Sequence, residues 1–119
     1  MLEDIIIPED PTPGEVVNLI AKASSMLSRT SDLAIEARDE YRSTKSDYEF
    51  AYAKAYLVAT GTVEERKAKA KIDSREEEEK MLVAEAKWRM IEAKHNDYDN
   101  LFVALRKIAS MKETEMKCL

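Results

Sequence analysis

The sequence predicts an all-α fold: two long antiparallel helices forming a coiled-coil hairpin, and an oligomeric one. Three observations predict it. Thr60-Gly61-Thr62 is the only break in the chain beyond residue 14. Before it, small or apolar residues recur at spacings of four and three: Val16, Ile20, Ala23, Leu27, Thr30, Ala34, Ala37, Tyr41, Thr44, Tyr48, Ala51, Ala55 and Val58. After it the same spacing returns in Met81, Ala84, Trp88, Ile91, His95, Tyr98, Phe102, Leu105 and Ala109. A four-three repeat is the seam of a coiled coil, because it keeps one stripe of each helix facing a partner helix.

Residues 1–11 read as an extended arm, acidic and apolar by turns. Ile5-Ile6-Ile7 favours an extended backbone, and Pro8, Pro11 and Pro13 stop a helix from running through. The three isoleucines either dock a partner or cover the open end of the hairpin; the cost of exposing a contiguous apolar patch favours cover. Residues 12–119 form the hairpin, with helices expected at about 13–60 and 63–112. Thr12 caps the first, Pro13 suits the first helical position, and Glu15 completes a Thr-x-x-Glu capping box. Gly61 supplies a left-handed residue at its end. Thr62 and Glu65 then repeat the capping box for the second helix. Each helix spans on the order of 65–75 Å at 1.5 Å per residue.

So short a connection favours antiparallel neighbours. With the turn centred on Gly61, facing residue numbers add to about 122. Tyr41 then meets Met81, Leu27 meets His95, Ile20 meets Phe102 and Val16 meets Leu105, while Trp88 falls opposite Ala34 and Ala37. Two regions depart from the pattern. Glu64 to Lys80 is almost without large apolar residues, and Glu77 faces the neighbourhood of Lys45, suggesting a polar layer. Conversely, Leu101-Phe102-Val103-Ala104-Leu105, Ile108, Ala109 and Met111 are apolar around most of the helix, which demands more than one neighbour. Part of that cover is expected from Ile5–Ile7, Val17 and Leu19, and the rest from a second subunit. Leu101, Val103, Leu105, Ile108 and Met111 are therefore the expected oligomer interface.

The 119 residues carry a formal charge of -5, with only two glycines and three prolines. That suits long exposed helices, which bury one stripe each and find further burial in association. Residues 1–40 hold nine acids against three bases, so the remainder is slightly basic. An all-over nucleic-acid coat is thereby excluded, but a local basic end is not. The single cysteine, Cys118, permits no internal disulfide and fits a reducing compartment. No apolar run reaches the ~20 residues of a membrane span. The acidic start, Met1-Leu2-Glu3-Asp4, is unlike a secretory signal. A cytoplasmic protein is expected.

No pattern points to catalysis, a metal or a cofactor. His95 is the only histidine and lies on the seam, where it reads as a polar core residue. Glu92-Ala93-Lys94-His95 has the Glu-x-x-His spacing of helical di-metal sites but occurs once. The run Glu76-Glu77-Glu78-Glu79 reads as a solvated helix face. There is no phosphate loop, histidine–cysteine ligand cluster or nucleophile elbow. The hairpin tip is richer. Lys54, Arg66, Lys67, Lys69 and Lys71 gather within about three turns of Gly61. Beside them lie Tyr48, Phe50, Tyr52 and Tyr56. Rings for stacking and lysines for phosphates together suit single-stranded nucleic acid. The plainer alternative places Tyr48 in the core, Tyr52 and Tyr56 on its flanks and the lysines in solvent.

Tyr52-Ala53-Lys54-Ala55-Tyr56-Leu57, followed by Thr60-Gly61-Thr62-Val63-Glu64-Glu65-Arg66-Lys67-Ala68, resembles small helical proteins from the early gene blocks of tailed bacteriophages. There a Tyr-x-x-Ala-Tyr-like helix end leads through a Gly-Thr or Gly-Ser turn into Val-x-Glu-Arg-Lys-Ala. Such genes often lie among replication and recombination genes. The organisation is also similar to UvsY-type recombination mediators, oligomeric helical proteins that help load a recombinase on single-stranded DNA. The resemblance implies a non-enzymatic accessory protein of DNA recombination or replication in the host-cell cytoplasm. In that reading the five tip cations contact single-stranded DNA weakly and the acidic arm engages a basic partner protein. The other class is a protein-only coiled-coil scaffold or an inhibitor of a host factor.

Overall fold

The structure, a computed structural model, describes residues 2–117. Cys118 lies outside the described residues. Three helices account for the fold: α1 (Pro13–Val58), α2 (Val63–Asp73) and α3 (Arg75–Lys117). The two long helices, α1 and α3, pack against each other as an all-α hairpin.

Threonine caps the starts of both α1 and α2, with the full reciprocal box at α1 and only the threonine half of it at α2. The Glu15 N–H donates to Thr12 Oγ1 and the Thr12 N–H to Glu15 Oε1, both at 3.1 Å, a complete capping box. The Glu65 N–H donates to Thr62 Oγ1 at 3.2 Å. Between the helices Gly61 takes φ +107°, a region closed to residues with a Cβ without strain.

The chain divides into two units: the described residues of Met1–Leu33 with Ile91–Leu119, and Ala34–Met90. In the first, Val16, Ala23, Met26 and Thr30 of α1 are buried, as are Ile91, Tyr98 and Leu105 of α3. Burial of side chains the size of Tyr98 and Leu105 stabilises by about 1.5–3 kcal/mol each. Residues 2–12, outside any helix, complete this unit. In the second, the buried residues are small: Ala37 and Ala55 of α1, Ala70 of α2, Ser74 and Ala84. Alanine and serine leave room for the backbones to approach, and larger groups lie beside them. Tyr41 and Trp88 stack with ring centroids 5.5 Å apart.

Three expectations need correction. The second arm of the hairpin is not one helix. It breaks at Ser74, whose φ of −103° and ψ of 11° leave the helical well, and the last helix continues to Lys117. Ser74 Oγ donates to the Ala70 carbonyl at 2.7 Å, a back-bond of the kind that bends helices. The register also differs. Thr30, not Leu27, faces His95, and Trp88, not Met81, stacks on Tyr41. The physical reason is the lean of helical side chains toward their own N-terminus. Each surface spot is covered by a residue about one position C-terminal to it, and in an antiparallel pair the two shifts add. That accounts for two of the three residues separating Leu27 from Thr30, and for only two of the seven by which the Tyr41–Trp88 pair departs from the same sum. With the register moved, the Glu77–Lys45 layer does not form. Glu77 Oε2 is buried without a hydrogen-bond partner, and Lys45 is exposed.

Candidate functional site

Two surfaces answer to the sequence-predicted sites. The first is the tip, within the Ala34–Met90 unit. Arg66 is half-buried there. Its guanidinium lies 4.3 Å from the Tyr56 ring centroid, and Nη2 donates to the Tyr56 carbonyl at 3.3 Å. A cation over an aromatic face, anchored by a hydrogen bond, ties the first turn of α2 to the last turn of α1. Lys67 is paired with Glu64 at 4.0 Å and Lys69 with Asp73 at 3.5 Å. Lys54 and Lys71 are exposed and make no ion pair among the described residues. The five tip cations thus have three different placements: one locked on a tyrosine, two paired with acids, two open.

The tip aromatics also separate. Tyr48 and Tyr52 are half-buried and pack edge-to-face at 6.2 Å. Burial first, then a hydrogen bond and negative charge from Glu78, push the Tyr48 hydroxyl above its usual range. Phe50 is 71% exposed and stands over a cleft with Lys54, Asp47, Asp73 and Lys80.

The second surface is the open end, within the other unit. One stripe of α3 runs Lys94, Tyr98, Leu101, Leu105, Ile108, Lys112 at four-three spacing. The arm is fastened along it. Asp4 pairs with Lys94, the Tyr98 hydroxyl donates to the Glu3 carbonyl, and Asp10 pairs with Lys112 at 2.9 Å. Lys22 of α1 adds a contact to Glu3 at 3.5 Å. Between these anchors Ile5 and Ile7 are half-buried and Ile6 is 81% exposed, the two-residue alternation of an extended segment. The Lys94 hydrogen bond and charge hold the Asp4 carboxyl below the usual carboxylate range. Hydrogen bonds that they donate to the arm carboxylates hold the Lys94 and Lys112 ammonium groups above theirs.

Of the five residues expected at an oligomer interface, Leu105 is fully buried in the fold. Leu101 and Ile108 are half-buried on the stripe between the arm's anchors. Val103 and Met111 are exposed, at 46% and 63%. Val17 and Met116 are exposed too and border a small cleft with Pro13 and Ala109.

His95, the seam histidine, has its Nδ1 2.7 Å from Thr30 Oγ1. The same hydroxyl lies 2.9 Å from the Met26 carbonyl. The ring is therefore part of a polar layer between α1 and α3. Among the described residues no three potential metal-ligating side chains gather. Among the described residues, no helix is long and apolar enough to cross a membrane.

Sequence reasoning did not assign the anchoring set Glu3, Asp4, Asp10, Lys22, Lys94, Tyr98 and Lys112. A signal existed. Asp4 and Asp10 are six residues apart in an extended segment, about 20 Å. Lys94 and Lys112 are eighteen apart on a helix, about 27 Å. Flexible lysine side chains bridge the difference. Comparison with known protein families, curated proteins and solved structures finds no match for this chain.

Proposed function

We propose that this protein works by protein contact: a non-enzymatic helical hairpin that self-associates through its open end and serves as an accessory in phage DNA recombination or replication. The observation that carries the reading is the set of large apolar side chains left exposed in one unit of the hairpin: Val17, Val103, Met111 and Met116. Val17 and Met116 lie together at one cleft, and association would cover them along with the other exposed side chains. The DNA-metabolism setting is supported by the likeness of the tip segment to small phage proteins. The test is sedimentation equilibrium of the intact chain beside Val103→Glu/Met111→Glu. The wild type is expected to reach at least a dimer at micromolar concentration and the variant to remain monomeric with unchanged helicity. A wild type that is monomeric throughout, or a variant that associates equally well, overturns the reading.

A second reading is favoured by the exposed Phe50 ring beside Lys54. A base stacked on Phe50, with phosphates meeting Lys54 and Lys71, gives weak single-stranded DNA binding that falls as salt rises. Anisotropy of a labelled oligothymidine, titrated at low and high salt, tests it.

A further inference from the structure

We propose that the cleft lined by Phe50 is a docking site for an arginine side chain of a partner protein. The site lies wholly within the Ala34–Met90 unit, so it stands apart from the open end and does not depend on self-association there.

Three helices build the cleft. The α1 helix contributes Asp47, Phe50, Lys54 and Val58, α2 ends in it at Asp73, and α3 adds Glu77 and Lys80. Ala51 and Ala55 line it too, and their short side chains leave open space. The volume is about 580 Å³, within the size range of small-ligand sites.

Two groups in this lining lack the contacts their chemistry calls for. Phe50 holds a large ring in water and helps no core. Glu77 is half-buried, and its Oε2 is shut off from solvent without accepting a hydrogen bond. A carboxylate withdrawn from water in this way is costly, and a cation beside it offsets the cost. The neighbouring cations are engaged elsewhere. Lys80 reaches Glu76 at 3.6 Å, and Lys69 holds Asp73 at 3.5 Å. Among the described residues, Asp47 and Glu77 make no ion pair. One unpaired lysine, the exposed Lys54, stands against these two acids. The cleft is therefore left with an excess of negative charge beside an open aromatic ring.

Guanidinium answers both groups at once. Its plane stacks on an aromatic face while its edge presents paired N–H donors to carboxylates. An ammonium is a compact, strongly hydrated charge that lacks the flat face and the fork. The same unit already holds an arginine in this manner: Arg66 lies over the Tyr56 ring and donates to the Tyr56 carbonyl. Val58, Ala51 and Ala55 offer apolar surface to the methylene stem. A nucleic-acid strand stacked on Phe50 would instead bring its phosphates toward the cleft's carboxylates. The two uses of the ring exclude each other, and the unpaired acids favour arginine.

The probe is N-acetyl-arginine amide, titrated at low salt into the intact, isotope-labelled chain beside N-acetyl-lysine amide. Arginine amide is expected to shift the backbone amide signals of residues 47–58 and 73–80 saturably. It should bind about threefold tighter than lysine amide, the share of a stacked guanidinium at an exposed site. Phe50→Ala should bring arginine amide down to the lysine level, and Glu77→Gln should weaken both amides. Phe50 is exposed, so its loss leaves the fold intact, which circular dichroism checks. Asp47→Asn on the surface of α1 repeats the charge test should Glu77→Gln disturb the hairpin. Equal binding of the two amides, or arginine binding unchanged by Phe50→Ala, overturns the proposal, because charge alone then explains it. The absence of saturable shifts overturns it as well. Shifts of the same signals by oligothymidine, lost in Phe50→Ala and unmatched by arginine amide, give the ring to nucleic acid instead.

Discussion

Replacing Thr30 with valine removes a hydroxyl and keeps the side-chain shape. Thr30 is fully buried, and its Oγ1 lies 2.7 Å from His95 Nδ1 and 2.9 Å from the Met26 carbonyl. The Met26 carbonyl keeps its helical N–H donor in the variant, so the backbone is left without an obligatory loss. The change falls on His95, which is half-buried and regains part of its hydration. The expected loss is that of one net hydrogen bond, about 1 kcal/mol. In a chain of this size that lowers Tm by about 4 °C. His95→Leu alone costs a similar amount by stranding the threonine hydroxyl, which falls back on its own helix. The double variant replaces both partners by apolar groups and costs less than the two singles together, with a coupling energy of about 1 kcal/mol. Urea unfolding followed by circular dichroism supplies all four corners of the cycle. Additivity within about 0.3 kcal/mol would rule out the contact. It would mean that Thr30 and His95 are not neighbours and that Leu27 faces the histidine, as the turn centre alone suggests.

Gly61→Ala should lower stability by about 1–2 kcal/mol, because φ at +107° opposes a Cβ. The nearby Glu65 carboxylate is flexible and moves aside, so Glu65→Ala in the same chain should not rescue the loss; rescue would place the cost in the clash instead. Tyr98→Phe should release the arm with little change in midpoint, read as faster cleavage after Glu9 by a glutamate-specific protease; unchanged cleavage contradicts the anchor. The arm's ion pairs have a defined pH window. Asp4 sits below its ordinary value of 3.8, so its contribution is full above that value and disappears as pH falls through the lowered pKa. Lys94 and Lys112 sit above 10.5, so theirs is full below that value and is lost as pH rises beyond it. Hydrogen exchange of the arm amides, corrected for intrinsic rates, should show protection steady through neutral pH and weakening at both extremes. Protection independent of pH would assign the hold to Tyr98 and the isoleucines alone. At the tip, Lys54→Glu/Lys71→Glu should remove any salt-dependent oligonucleotide binding, whereas Arg66→Ala should act mainly on stability through its Tyr56 stack.

The hairpin itself was legible because its signals are local. Two Thr-x-x-Glu boxes and one glycine set the helix starts and the turn, and each depends on residues within four positions. The register was not legible from the turn, because it depends on the direction in which side chains lean as well as on where the chain reverses. Ser74 was missed for a related reason. Serine is tolerated within helices, and only its back-bond to Ala70 reveals the break. At the tip, the sequence groups five cations but does not show that Arg66 rests on Tyr56 or that Lys67 and Lys69 have acids beside them. The arm was read as cover for the open end, and Ile5 and Ile7 act as such. Its lysine anchors have a signal in the spacing of Asp4 and Asp10 against Lys94 and Lys112, but an extended segment and a helix advance at different rates, so the match shows only when the two rises are compared.

Association through the open ends and capture of nucleic acid at the tip make opposite demands on one experiment. One sedimentation-velocity run, with protein and a labelled single-stranded oligonucleotide followed at separate wavelengths at physiological salt, separates them directly. If the open ends meet, the protein sediments as a dimer or larger species, shifts toward monomer on dilution, and leaves most of the oligonucleotide free. A protein that stays monomeric at every concentration and carries the oligonucleotide with it would contradict that association.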